Sequence, residues 1–135
     1  MRGLYFIAGL ATALLLSAAG VSVPRRSTSS ETVNIGVVLY TKSNTPGTLK
    51  ARWNYGNAYY GPGVATGGPK EGFAGNYHVR YFLESGKFSD EYDLVIKKKG
   101  DFYDVSWITN GKISAVGIGM NVENGLAVGW RRVAD

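Results

Sequence analysis

The chain of 135 residues lacks cysteine and contains a single histidine, His78. Without cysteine there is no disulfide, no thiolate nucleophile and no zinc knuckle. One histidine excludes a metal site built from clustered histidines of this chain alone, so we expect neither a metal nor a cofactor. Long amphipathic runs of Glu, Lys, Leu and Ala are also missing, which argues against a helical bundle.

Charge is almost missing from the first segment, MRGLYFIAGLATALLLSAAGVSV. Arg2 is followed by an apolar stretch from Leu4 to Leu16 and by small residues ending at Ala19, a pattern typical of a secretory signal. We favour removal of residues 1–19 as a signal peptide. The alternative is a retained membrane anchor over residues 4–23, because that run is long enough to span a bilayer. Either way we expect an exported protein that is periplasmic or secreted, or else membrane-anchored.

Basic residues exceed acidic ones, with a formal net charge of +5 at pH 7. They cluster at Lys97–Lys99 and at Arg131–Arg132. This excess favours weak attraction to anionic surfaces but is not a nucleic-acid signature, so we expect no nucleic-acid partner. The lysine run is either a phosphate or lipid-headgroup patch or a solvated turn between two strands, and we favour the turn.

Beyond the first segment, residues 20–32 are polar and turn-rich, which predicts a flexible leader. Residues 33–135 form one predicted domain, in which apolar and polar residues alternate in short runs, as in β-strands. The predicted strands are Val33–Tyr40, Leu49–Tyr55, Tyr60–Thr66, Tyr77–Leu83, Tyr92–Lys98, Phe102–Ile108, Ile113–Met120 and Leu126–Val133.

Turn signals separate these strands. Asn110-Gly111 and Asn124-Gly125 each suit a tight primed hairpin turn, since both residue types tolerate positive φ. A meander of this length usually closes on itself to remove its edges. We therefore predict an all-β fold, a single antiparallel meander that closes into a barrel of about eight strands. Whether the first strand joins this barrel or swaps to a neighbour stays open.

The sequence Tyr-Asp occurs at Tyr92-Asp93 and again at Tyr103-Asp104. Paired carboxylates can divide acid and base roles in catalysis. Alternation, however, places both tyrosines on one face and both aspartates on the opposite, polar face. We interpret the repeat as two similar strands rather than as a catalytic pair.

His78 is the other catalytic candidate, but alternation places it on the same face as Arg80, and no nucleophile can be named for it. An enzyme would need at least two charged residues from one set to face inward together, which the alternation opposes. That set is His78, Arg80, Glu84, Asp93 and Asp104. We therefore predict no catalytic residues.

Aromatic residues fall at inward positions of the predicted strands: Trp53, Tyr55, Tyr77, Tyr81, Tyr103, Trp107 and Trp130. They either line a pocket for a flat or apolar ligand or fill the barrel. The narrow interior of an eight-stranded barrel favours filling, whereas Gly117, Gly119 and Gly129 favour a cavity. The candidate ligand-binding residues are Tyr77, Tyr81, Tyr103 and Trp107.

The segment 56–75 is rich in glycine but does not match a phosphate loop, because Lys70 is followed by Glu71. We expect a strand with sharp corners and then a long loop over one barrel mouth. The residues assigned to this mouth loop, as the rim of any site, are Gly61, Gly63, Gly67, Gly68 and Phe73.

The region from Leu49 to Val133 resembles the calycin-like barrels, which include the lipocalins and avidins. In calycins a tryptophan on the first barrel strand packs beneath a basic residue of the last strand. The resemblance implies that Trp53 closes the barrel against Arg131 or Arg132. Ala51 stands where lipocalins have glycine. The phrase YDVSW…GIGM…GLAVGW also resembles small exported bacterial proteins of unassigned function.

These observations predict an exported, non-catalytic binding module whose barrel holds a small apolar or aromatic ligand. One alternative is a structural or interaction protein with a filled barrel, tethered to a membrane through residues 4–23. The least favoured alternative is a barrel isomerase or cyclase. Any membrane contact is expected only through residues 4–23.

Overall fold

A computed structural model describes residues 32–133 of the chain. The strands are β1 (Gly36–Lys42), β2 (Leu49–Tyr55), β3 (Tyr59–Thr66), β4 (Gly75–Phe82), β5 (Phe88–Lys99), β6 (Phe102–Thr109), β7 (Lys112–Val122) and β8 (Gly125–Arg132). They form a closed antiparallel barrel in chain order, which confirms the predicted fold class. The predicted signal or anchor segment, and the leader apart from Thr32, lie outside the described residues. Between residues 32 and 133 no helix is long and apolar enough to cross a membrane.

The first strand belongs to the barrel. β1 pairs with β2 along its whole length and with β8 from Gly36 opposite Trp130 to Tyr40 opposite Leu126. The strand begins at Gly36 rather than at Val33, and residues 33–35 precede it with exposed side chains. The open question about this strand is thereby answered, because β1 closes the sheet of its own chain.

The connections between the strands lie at two opposite ends of the barrel. At the entry end, where the chain enters β1, lie the connections 56–58, 83–87 and 110–111. At the far end lie the connections 43–48, 67–74, 100–101 and 123–124. These two names are used below.

Alternation places the core as the sequence predicts. Tyr103, Val105 and Trp107 of β6 are all buried, and so are the inward residues of β5 from Tyr92 onward. Asp93 and Asp104 are exposed on the outer face. The repeated Tyr-Asp sequence is therefore a pair of neighbouring strands, as predicted, and not a pair of facing carboxylates.

One of the two predicted primed turns is confirmed and the other is displaced by one residue. Thr109 pairs with Lys112, which leaves Asn110 and Gly111 in the turn with φ of 51° and 79°. At the second site the strands continue to Val122 opposite Gly125, so the turn is 123–124 instead. Gly125 is therefore a strand residue, and glycine is favoured there because a Cβ would lie only 2.7 Å from the Tyr40 carbonyl oxygen.

Two β-bulges lie toward the entry end. Tyr81 pairs with Asp90 and Phe82 pairs with Phe88, so Ser89 is an extra residue in β5. The β6–β7 pairing contains a similar irregularity, which leaves Ser114 extra. A bulge changes the direction in which side chains point. Consecutive residues Ser89 and Asp90 are accordingly both buried.

Two strand glycines give a matched test of this packing. A Cβ on Gly61 would collide with the Phe82 carbonyl oxygen, whereas a Cβ on Gly129 would meet nothing within 4 Å. We expect Gly61→Ala to lower the free energy of unfolding by about 1–3 kcal/mol and Gly129→Ala to change it by less than about 0.5 kcal/mol. Urea denaturation measures both, and equal losses would contradict the close approach of β3 to β4.

Candidate functional site: a polar recess at the entry end

Three hydrogen-bonded side chains cross the barrel interior. The hydroxyl oxygens of Tyr40 and Tyr81 lie 2.5 Å apart, and the Trp107 indole Nε1–H donates to Tyr81 at 2.8 Å. The three residues come from β1, β4 and β6 and are buried. Burial raises the pKa of both tyrosines well above the ordinary value. We call these residues the central brace, because they join three strands through the lumen.

A small recess lies between the central brace and the entry end. Its cavity volume is ≈ 30 Å³, about the space of one water molecule and roughly tenfold less than a typical ligand pocket. Its walls include aromatic, carboxylate and guanidinium groups: Trp53, Tyr81, Asp90, Tyr92, Trp107, Trp130 and Arg132. The interior of the barrel is therefore nearly filled in this conformation.

Asp90 places a carboxyl group inside the barrel, where it is only 6% exposed. The Tyr92 hydroxyl donates a hydrogen bond to its Oδ2 at 2.5 Å. Burial raises the pKa of Asp90, while the hydrogen bond from Tyr92, the nearby Ser89 hydroxyl and the charge of Arg132 oppose that rise. A buried carboxyl is costly, so its presence marks this recess as a candidate site.

Ser89 adds a second polar group at the same bulge. Its side chain is buried, and its hydroxyl has no hydrogen-bond partner among the described residues. The hydroxyl is close enough to Asp90 to lower the pKa of that carboxyl, but it does not reach hydrogen-bond geometry. The Ser89 hydroxyl thus keeps hydrogen-bonding capacity that the described side chains do not use.

Trp130 covers the recess from the entry end. Its ring stacks on Tyr55 with centroids 5.1 Å apart and lies 5.8 Å from the ring of Trp107. It also lies directly over Gly36, where any Cβ would collide with the indole. Trp130 is only half-buried, so it is the outermost ring of the aromatic wall.

Asn34, just before β1, forms hydrogen bonds with residues of β2 and β8 beside the Trp130 ring. Its Oδ1 accepts hydrogen bonds from the Tyr55 hydroxyl at 3.1 Å and from the Arg132 backbone N–H at 2.7 Å. Its Nδ2 donates to the Arg132 carbonyl oxygen at 3.0 Å. The residues just before β1 are thereby fixed to the end of β8.

The structure brings together two of the four residues proposed to bind a ligand. Tyr81 and Trp107 are hydrogen-bonded and both line the recess. Tyr77 donates instead to the Phe73 carbonyl oxygen, and Tyr103 donates to Asn121 Oδ1. These two tyrosines lie toward the far end. Ligand binding by any of the four stays a prediction.

The predicted mouth loop is shorter than expected and lies at the far end. Gly61 and Gly63 belong to β3, in agreement with the predicted strand Tyr60–Thr66, and not to the loop itself. Gly67, Gly68 and Phe73 do lie in the connection 67–74. Gly68 packs directly against the ring of Tyr77. The loop therefore covers the end of the barrel opposite the recess.

Trp53 does not take the position that the calycin resemblance implies. It lies on β2, because β1 precedes it in the barrel. Its indole Nε1–H is shared between the carbonyl oxygens of Pro62 at 3.2 Å and Phe82 at 3.1 Å. Arg131 is exposed on the outer face, whereas Arg132 lines the recess together with Trp53. Pairing of β1 with β8 closes the barrel.

The catalytic candidates lie on the outer surface. His78 approaches Asp93 at 3.4 Å and Glu91 at 3.5 Å, and Arg80 pairs with Glu91 at 3.2 Å. Exposed ion pairs of this kind contribute little to stability. None of the five charged residues that an enzyme would require faces the interior. Within residues 32–133 no cluster of three or more His, Asp or Glu is placed to hold a metal ion.

Asp90 is the site residue that the sequence analysis missed. The alternation of Tyr92, Leu94 and Ile96 extends back by two positions to Asp90, which was the available signal. The predicted strand began only at Tyr92, whereas β5 begins at Phe88. Phe88 lies two positions before Asp90 but is exposed, because the bulge at Ser89 interrupts the alternation of inward and outward residues.

No protein-family model matches the sequence, and no curated protein or solved structure matches it. The barrel has the plan of a calycin, with eight antiparallel strands in chain order. Membership of that group stays a prediction.

The central brace predicts a difference between two similar substitutions. Tyr81→Phe leaves the Trp107 N–H and the Tyr40 hydroxyl without their shared partner, so we expect a loss of about 2–3 kcal/mol in the free energy of unfolding. Tyr40→Phe removes one bond and leaves the Trp107 bond intact, so we expect about 1 kcal/mol. Urea denaturation of both variants tests the brace, and similar losses would contradict its hydrogen-bond order.

Asp90 predicts a pH dependence of stability. Because its pKa is raised above the ordinary value of 3.8, the folded state holds this proton more tightly than the unfolded chain. The resulting stabilisation is full below that value and is lost as the pH rises through the folded pKa. We expect Asp90→Asn to remove this decrease, whereas Asp93→Asn, which changes an exposed carboxyl on the same strand, retains it. Denaturation curves from acidic to neutral pH provide the test, and parallel profiles for wild type and Asp90→Asn would exclude the assignment.

Proposed function

We propose that the protein is an exported, non-catalytic binding module whose barrel holds a small ligand in the recess at the entry end. The observation that carries the proposal is the buried carboxyl of Asp90 in an aromatic recess. The carboxyl can accept a hydrogen bond from a hydroxyl or amine of the ligand. The surrounding rings can pack against an apolar or aromatic body.

Ligand entry requires Trp130 to move. The cavity of ≈ 30 Å³ holds no more than about one water, so the closed recess is too small for an organic molecule. Trp130 is the half-buried ring over Gly36, and its displacement would expose the faces of Tyr55 and Trp107. We infer that the ligand takes the place of this indole. Its class is then a compact apolar or aromatic molecule with one hydrogen-bond donor.

The hydrogen bonds of the recess support binding rather than catalysis. Tyr92 donates to Asp90, and the Ser114 hydroxyl donates to Thr109 Oγ1 at 2.9 Å. A nucleophile needs a general base within hydrogen-bond reach. In this recess the Ser114 hydroxyl bonds to a second hydroxyl instead, and the Ser89 hydroxyl does not reach hydrogen-bond geometry with Asp90.

Export is part of the same proposal and rests on the sequence of residues 1–19. A positive start, an apolar stretch and small residues before the cleavage position support it. Mass spectrometry of the purified protein tests it directly. A chain that begins at Gly20 supports a removed signal, and one that retains Met1 supports the anchor.

The second candidate is a structural or interaction protein with a filled barrel. The small cavity volume and the central brace favour it, because both use the interior for packing rather than for a ligand. Substitution of Trp107 does not distinguish a binding module from a filled barrel, because this residue is buried in the central brace and its loss would also affect folding. Substitutions of Trp130 and Asp90 distinguish the two candidates better.

The test uses benzylamine, benzyl alcohol and toluene as probes, with intrinsic tryptophan fluorescence as the readout. We expect the two hydrogen-bond donors to bind and toluene to bind about tenfold more weakly. Asp90→Asn removes the charge but keeps an acceptor, so benzylamine should lose more affinity than benzyl alcohol. Asp93→Asn is the matched control and should bind like wild type.

Native mass spectrometry of the protein purified without detergent completes the test. An added mass that disappears on unfolding would support the binding module and report the ligand's mass. If no probe binds to the wild type and no added mass is found, the binding proposal fails. Binding of the probes to Trp130→Ala alone would show that the indole permanently fills the recess, which favours the second candidate.

A further inference from the structure

The outer surface of the barrel contains an apolar groove along β8. Ala127 and Gly129 form its floor, and a Cβ on Gly129 would meet nothing within 4 Å. The ridges on either side are exposed apolar side chains of β1 and β7: Val37, Leu39, Ile118 and Met120. The depression that contains this groove also extends over β2 to Arg52, Asn54 and Tyr60, with a volume of ≈ 670 Å³. We call this surface the outer groove.

Strand register makes the outer groove continuous. Gly129 pairs with Ile118 on one side and with Val37 on the other. Ala127 pairs in the same way with Met120 and Leu39, one row nearer the far end. Ile118 is 66% exposed and Val37 is 55% exposed. Large apolar side chains grouped at this exposure are typical of a contact surface.

The acidic residues of the strands are confined to one side of the barrel. β1, β2, β3, β7 and β8 contain no Asp or Glu, and their charged residues are all Lys or Arg. The acidic residues of the described strands lie on β5 and β6, at the opposite side of the barrel, where β5 also contains Lys97–Lys99. Arg131 of β8 and Lys50 of β2 are exposed on the strands around the outer groove, and Arg52 of β2 pairs with Glu84 at 2.9 Å.

We propose that the outer groove and its basic flanks dock on an anionic lipid bilayer. The apolar ridges would enter the boundary between headgroups and acyl chains, as apolar faces of peripheral proteins do. Arg131 and Lys50 would lie at headgroup level, where each basic residue adds attraction to anionic lipid. The side of the barrel that carries Asp93 and Asp104 faces water.

The path of the chain agrees with this orientation. Val33 and Ile35 are 59% and 63% exposed and lead directly to Val37 at the edge of the groove. The sequence before them contains the uncharged apolar run of residues 4–23 and the pair Arg25-Arg26. The bilayer contact proposed here is made by the barrel itself and is additional to any contact through residues 4–23.

A second copy of the chain fits this surface less well. Two-fold symmetry builds the contact from the same surface of each copy. The strands around the groove contain no acidic residue that could pair with Arg131 or Lys50 of the other copy. Two surfaces of the same sign would therefore meet, whereas an anionic bilayer neutralises the basic residues.

The absence of cysteine makes a direct test possible in the full chain. Ile118→Cys introduces a single thiol in the groove for an environment-sensitive NBD label, and Lys97→Cys introduces one on the exposed outer face of β5 as the matched control. Both proteins contain the same residues 1–31, so membrane association through that segment contributes equally. Near-UV circular dichroism verifies that both labelled proteins are folded.

The labelled proteins are mixed with phosphatidylcholine vesicles that contain phosphatidylglycerol, or with pure phosphatidylcholine vesicles. We expect the label at position 118 to increase several-fold in emission with a blue shift, and lipids with a doxyl group in the acyl chain to quench it. The change should be smaller with pure phosphatidylcholine and at high salt. The label at position 97 should keep its aqueous emission.

Three results would overturn the proposal. The first is an aqueous spectrum at position 118 in the presence of anionic vesicles. The second is an equal change at positions 118 and 97, which indicates association without a preferred face. The third is a blue shift at position 118 that depends on protein concentration without vesicles, which assigns the groove to a second copy. Ligand binding in the recess is measured separately and can fail independently.

Discussion

The pairing of β1 with β8 is the contact on which the rest of the structure depends. Without it, β1 and β8 would be edge strands with unpaired backbone groups, and the aromatic interior would be open to water. Glycines make the close approach possible at two points, because Gly36 lies beneath the Trp130 ring and Gly125 beside the Tyr40 carbonyl oxygen. The recess lies inside this seam and the outer groove runs along its outside. Val38 and Trp53 border both.

The buried polar groups differ in their effect on the stability of the fold. The central brace consists of side chains that satisfy one another, so it adds rigidity without leaving charge in the core. Asp90 differs, because burial opposes its ionisation and its neighbour Ser89 lacks a partner among the described residues. Such a group lowers stability in a barrel that is otherwise well packed. This contrast, rather than the number of aromatic rings, distinguishes the recess as the candidate site.

The alternation of apolar and polar residues predicted the strands well, because inward-facing residues of a barrel are buried and outward-facing residues contact water. The prediction was weakest where that rule is interrupted. The bulge at Ser89 shifts the pairing of β5, so the strand begins four residues earlier than predicted and contains Asp90. Gly61 was assigned both to the predicted strand Tyr60–Thr66 and to the rim of the mouth loop; it lies in β3, where a Cβ would collide with the Phe82 carbonyl oxygen. The outer groove depends on which strands become neighbours at the seam, and local alternation does not contain that information.

The pairing of β1 with β8 also determines when the barrel can close during synthesis. β1 is the first strand of the barrel and β8 the last, so the closing contact joins residues far apart in sequence. Contacts of this kind form slowly, because a long loop must be ordered before they are made. A nascent chain that has only β1 to β7 outside the ribosome has no partner for one edge of β1. Closure therefore has to wait until β8 has been synthesised, and until then one edge of β1 exposes unpaired backbone groups.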